Sequence, residues 1–137
     1  MKQVVVSFFL LFTVFFTHAK GIDKGILGEW RSVGIQYYHA NGVKKGELVA
    51  STKDEWETYK FDDENNCSHY SENGEFDSLS TEMKYIIIGK RLIFYKEDEE
   101  DYRYDARVKL DATGDKMELL RPGDGDYYYV ELYERNK

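Results

Sequence analysis

Cysteine occurs once in the 137 residues, at Cys67, so no disulfide can form within the chain and stability must come from packing. Proline also occurs once, at Pro122, which excludes a Pro-rich linker, and the chain carries no repeat at a fixed period. Histidine is scarce: His18, His39 and His69 are scattered and form no zinc-type cluster, so no metal site and no cofactor are expected. A basic surplus is lacking too. Lys and Arg number 19 against 26 Asp and Glu, a formal charge of −7. That balance argues against a nucleic-acid partner, which needs a basic patch, and gives no pull toward anionic lipid. After residue 28 no stretch sustains a 3.6-residue period, so helix is confined to a turn around Ile22 to Leu27.

What is present begins with an apolar run. Lys2 supplies a positive start, Val4 to Phe16 is 13 residues of nearly unbroken hydrocarbon, and Thr17-His18-Ala19 puts small residues where signal peptidase cuts. The pattern predicts an export signal over residues 1–19 and a domain over 20–137, although cleavage after Gly21 fits almost as well. A membrane span needs about 20 apolar residues, and no cysteine follows the run to take a lipid. The expectation is therefore a secreted or periplasmic domain with no membrane anchor after cleavage. That domain has 118 residues and a charge of −8; it keeps all 12 Tyr but only three of the eight Phe.

The clearest pattern in the domain is Tyr102 to Leu110, where apolar or aromatic residues occupy every even position and charged residues fill every odd one. A period of two marks a strand with one buried face. Met83 to Ile88 and Arg91 to Tyr95 flank Gly89-Lys90 and read as a hairpin. Glu55 to Phe61, Lys116 to Arg121 and Tyr127 to Glu134 are further strands, each bounded by polar or glycine-containing turns. Gly28 to about Tyr38 is the first, with Lys44 to Val49 and Cys67 to Tyr70 weaker. Eight or nine strands without crossover helices imply an all-β, antiparallel up-and-down meander. Closing it into a small β-barrel removes its edges; a sandwich is the alternative.

Gly28-Glu29-Trp30, preceded by Ile26-Leu27, resembles the G-x-W signature that opens lipocalins. Tyr59-Lys60-Phe61 with its polar turn, the stretch from Tyr85 to Leu92, and Tyr129-Val130-Glu131-Leu132-Tyr133-Glu134-Arg135 are similar to the short bacterial lipocalin-like domains. The resemblance covers about residues 26 to 135. It implies that Trp30 sits at the closed end of the barrel with Arg135 packed across its ring, a cation–π contact. Full-size lipocalins are longer, with a helix before the last strand and usually a disulfide; neither fits this chain. Fatty-acid-binding proteins share the G-x-W start but need a helical lid, which His39 to Ser51 does not resemble.

No catalytic set assembles from the residues, so an enzyme is not expected. Cys67 and His69 share a strand face and could pair as nucleophile and base, but no third partner is evident. Glu97 to Asp101 and Asp124-Gly125-Asp126 offer oxygen ligands without EF-hand spacing; they read as solvated hairpin tips. Many carboxylates are present, and nothing selects two for acid–base work. Asn66-Cys67-Ser68 is a formal sequon and Asp77-Ser78-Leu79 a short O-glycosylation-like sequence. Alternation turns Tyr59, Tyr85, Phe94 and Tyr104 toward the interior, making them the candidate lining of a ligand pocket. The expected function is binding of a small amphipathic or hydrophobic ligand. The alternative is an interaction protein, an inhibitor or accessory subunit of an envelope complex, whose acidic tips suit a basic partner.

Overall fold

In the computed structural model, residues 21–74, 78–123 and 125–136 are described; the expected export signal lies outside them. A short helix, α1 (Gly21–Gly25), precedes nine strands: β1 (Gly28–His39), β2 (Val49–Ala50), β3 (Glu55–Phe61), β4 (Asn66–Asn73), β5 (Leu79–Ile88), β6 (Arg91–Lys96), β7 (Glu99–Leu110), β8 (Lys116–Pro122) and β9 (Tyr127–Arg135). Each strand from β3 to β9 pairs antiparallel with the next, and β1 pairs with both β3 and β9. Eight strands thus close into an all-β barrel. β2 is a two-residue extra strand laid on β1 where β3 has left it, through Gly34↔Ala50 and Ile35↔Val49. A Cβ at Gly34 would stand 2.7 Å from the Val49 carbonyl oxygen, so a side chain there would push β2 off.

Period-two patterning accounts for the core. Trp30, Phe61, Cys67, Leu92, Phe94, Met117, Leu119 and Tyr133 are all fully buried, each contributed by an inward-facing strand position. One end is stoppered. Arg135 lies over Trp30, its guanidinium carbon 4.3 Å from the ring centroid. Its Nη1 and Nη2 donate to the carbonyls of Leu27 and Gly25, both at 2.6 Å, and Nη2 also reaches Gly114 at 3.0 Å. Trp30 Nε1 donates to the Ile26 carbonyl at 2.8 Å. One cation and one indole therefore tie α1, the β7–β8 turn and both ends of the domain together. Gly28 explains the first letter of the G-x-W motif: its φ is +107°, and a Cβ would meet Arg135 Nη1 at 2.9 Å.

Three expectations need correction. Lys44 to Val49 is not one continuous strand: Lys44 makes an isolated bridge to Tyr38, the chain turns at Gly46 with φ of +78°, and only Val49 enters a strand, β2. The acidic run Glu97 to Asp101 is not all hairpin tip, since Glu99, Glu100 and Asp101 begin β7. The strand at Cys67 to Tyr70 runs on to Asn73, because its polar residues pair along the whole of β3. Among the described residues, no helix is long and apolar enough to cross a membrane.

Candidate binding site at the barrel mouth

The end opposite Trp30 is the mouth, and two seams open toward it. β1 pairs with β3 only over Gly28 to Arg31, and β7 pairs with β8 only from Arg107 onward. In the first seam lies a cavity of about 200 Å³, lined by Ile35, Trp56, Glu57 and Ser71 among others. The second seam exposes Tyr104. That ring was expected inside; it shares the inward face with Phe94 across the β6–β7 ladder, but it is 53% exposed because no β8 residue lies beside it. Tyr102 packs edge-on against it at 5.0 Å.

The other three candidate lining residues are packed against one another. Tyr59 stacks on Phe94 at 5.4 Å, and Phe61 meets Tyr85 edge-on at 4.9 Å. The Tyr85 hydroxyl donates to the Asp62 carbonyl at 2.7 Å, and burial pushes its pKa up to about 12. These rings form the floor beneath the mouth. Cys67 is buried and its thiol is pushed up by that burial, so it is no thiolate nucleophile. His69 pairs with a different residue altogether.

Above the floor the inward face turns ionisable. His69 Nε2 lies 2.9 Å from Glu57 Oε2, and its ring stacks on Tyr59 at 4.4 Å. The Tyr133 hydroxyl sits between Glu57 Oε1 and Glu131 Oε2, 2.5 Å from the latter. Glu131 Oε1 ion-pairs with Arg121 Nε, and Arg121 Nη2 donates to the Tyr59 hydroxyl at 3.2 Å. Glu131 is 7% exposed. Alternation places these acids inward: Glu57 shares parity with Tyr59 and Phe61, and Glu131 with Tyr129 and Tyr133. An acid in an inward rank was the available signal, and sequence reading did not select it.

Proton counting explains the pair. Tyr133 has one hydroxyl proton but faces two carboxyls, so both contacts are hydrogen bonds only when one acid is protonated. Glu131 is that acid. Burial disfavours its charge and the nearby Glu57 adds to this, outweighing Arg121 and raising its pKa to about 6. Burial opposes ionisation of Glu57 as well, but hydrogen bonds from His69, Glu131 and Tyr133 hold it down at about 2. The consequences for stability have opposite signs. From its ordinary 4.5 to about 6, Glu131 binds its proton more tightly folded than unfolded, so its contribution is complete below pH 4.5 and is lost as pH rises through 6. Glu57 contributes above 4.5 and loses that contribution as pH falls toward 2. The pair therefore favours a stability maximum near pH 4.5, with about 2 kcal/mol lost on the alkaline side. Urea denaturation across that range should show the alkaline limb in wild type and not in Glu131→Gln, whereas the acid limb should remain.

A larger groove, of about 710 Å³, runs along β7 and β8 at the closed end, lined by Lys90, Arg107, Lys109, Leu110, Leu120 and Val130 among others. None of the ionisable cluster reaches it. Among the described residues, no three His, Cys, Asp or Glu side chains gather to hold a metal.

The closed eight-stranded meander, stoppered at the Trp30 end, makes this a lipocalin-like β-barrel. It is similar to the crystal structure of a lipocalin-like protein from Bacteroides uniformis, with a TM-score of 0.52 and 15% identity over 82% of this chain and 99% of that one. It is similar also to an uncharacterized protein from Bacteroides eggerthii, with a TM-score of 0.52 and 11% identity over 80% of this chain and 98% of the other. No protein-family model matches the chain, and no curated protein matches it in sequence.

Proposed function

We propose that the protein is an exported, non-catalytic barrel that binds a small, partly apolar ligand at its mouth. The observation that carries this reading is the change along the inward face. Hydrocarbon and stacked rings fill the Trp30 end, and the Glu57–Tyr133–Glu131–Arg121 cluster lies above them. A rim of half-buried tyrosines follows. Convergent polar groups with displaced pKa values in a concave apolar setting are the usual mark of a small-molecule site. The lipocalin-like likeness supports the barrel, and ligand binding is the reading drawn from the mouth.

Native mass spectrometry of protein purified without denaturation tests it. A bound small-molecule mass that disappears on acid denaturation supports the reading. Its absence in protein from the native host, together with no hit in a library screen, contradicts it. Fractionation of the host should find the chain, shortened by about 19 residues, outside the cytoplasm.

A second reading, the interaction protein, is favoured by one feature. Val43, Leu48 and Val49 are exposed in a single segment beside the acidic mouth. Pull-down from an envelope fraction at low and high salt separates the two readings, since a basic protein partner would be lost at high salt.

A further inference from the structure

At the rim of the mouth, three tyrosines cluster on the inward face. Tyr37 pairs with Tyr129 across the β1–β9 ladder, and Tyr127 is the next inward residue of β9. Ring centroids are 5.9 Å apart for Tyr37 and Tyr129 and 6.0 Å for Tyr37 and Tyr127, and the rings are tilted rather than face to face. The cluster already receives a cation. Lys45 Nζ lies 4.7 Å from the Tyr127 centroid, within cation–π range. That position is built in: the Lys45 amide donates to the Tyr37 carbonyl at 2.9 Å, and Lys44 bridges to Tyr38. The segment is thereby fastened to β1 with its ammonium over the ring.

Resting on the ligand-binding reading above, we propose that the Tyr37–Tyr127–Tyr129 cluster is a seat for an alkylated ammonium group, which Lys45 occupies until the ligand displaces it. The surrounding charge selects a cation. Asp126 flanks Tyr127, and the acidic stretch from Glu97 to Asp101 borders the same end. Arg121, which sits opposite Tyr129 in the β8–β9 register, is neutralised by its ion pair with Glu131. A primary ammonium such as that of Lys45 is strongly hydrated. An alkylated one gives up less hydration on entering an aromatic seat, so it wins the exchange, and the exposed apolar rim of Leu48 and Val49 is available to the rest of the ligand.

The test uses benzyltrimethylammonium as probe, titrated at low salt by calorimetry against its neutral isostere, in which carbon replaces nitrogen. The proposal predicts that the cation binds about tenfold more tightly than the isostere. Lys45→Met should tighten cation binding about fivefold, Tyr127→Leu should weaken it about tenfold, and Tyr127→Phe, which keeps the ring, should leave it near wild type. Equal binding of cation and isostere overturns the proposal, as does unchanged or weakened affinity in Lys45→Met. No binding to either wild type or Lys45→Met also overturns it. If a natural anionic or neutral ligand is instead found at the mouth, the ammonium seat falls and the ligand-binding reading stands.

Discussion

Replacing Arg121 with Met should cost about 3–5 kcal/mol of folding stability at pH 7, the largest loss expected of any single change in the polar cluster. Methionine keeps much of the volume of the side chain, so packing changes little. The loss comes from Glu131, which is 7% exposed and loses the counter-charge that lets it ionise at pH 7, so it must stay buried either as an unpaired charge or as an acid protonated against the solvent pH. The Tyr59 hydroxyl also loses its donor. The cost should shrink below pH 6, where Glu131 is protonated in wild type as well and needs no counter-charge. Its pKa should move further above 6 in the variant, because the attraction to Arg121 is what holds it down against burial. Adding Glu131→Gln to Arg121→Met should restore part of the stability, since it removes the orphaned charge. Chemical denaturation of the single and double variants at two pH values checks the set. A loss under about 1 kcal/mol at pH 7 would mean that the ion pair behaves as a surface contact.

Trp30→Ala should be comparably damaging, at about 3–5 kcal/mol. The indole is fully buried, and it is the surface on which Arg135 rests. Truncation leaves a cavity at the stopper and removes the donor to the Ile26 carbonyl. It also leaves Arg135 without the ring beneath it, so α1 should loosen. Hydrogen exchange should therefore speed up at Leu27, Gly114 and Arg135 well before the mouth strands respond. Thermal unfolding gives the magnitude, and the exchange pattern gives the location. Equal acceleration at β3 and at the stopper would argue that Trp30 is ordinary core with no special tie to the terminal segments.

The barrel was largely legible because its strands announce themselves locally. Glu55 to Phe61 has the same bounds in sequence and structure, and the alternation from Tyr102 to Leu110 identified β7. The expected chemistry was legible only in part. Tyr59, Tyr85 and Phe94 do point inward, but whether an inward ring lines space or fills it depends on what faces it across the barrel, which local pattern does not record. Tyr104 is exposed because β8 is shorter than β7, a fact about two strands at once. Glu57 and Tyr133 are 76 residues apart in sequence, so their meeting with Glu131 depends on barrel closure. The missed signal was the inward parity of two acids. An inward charge on a barrel strand has to find a partner, and that requirement would have been reason enough to single them out.

The most direct test of the account is a chemical-shift titration of the isotopically labelled protein with benzyltrimethylammonium, or with whatever ligand co-purifies. Amide shifts concentrated at Tyr37, Lys45, Arg121, Tyr127 and Tyr129 are the predicted result. Shifts concentrated instead at Lys90, Arg107, Leu110 and Leu120, along the groove of the closed end, would contradict the assignment of the mouth as the binding site.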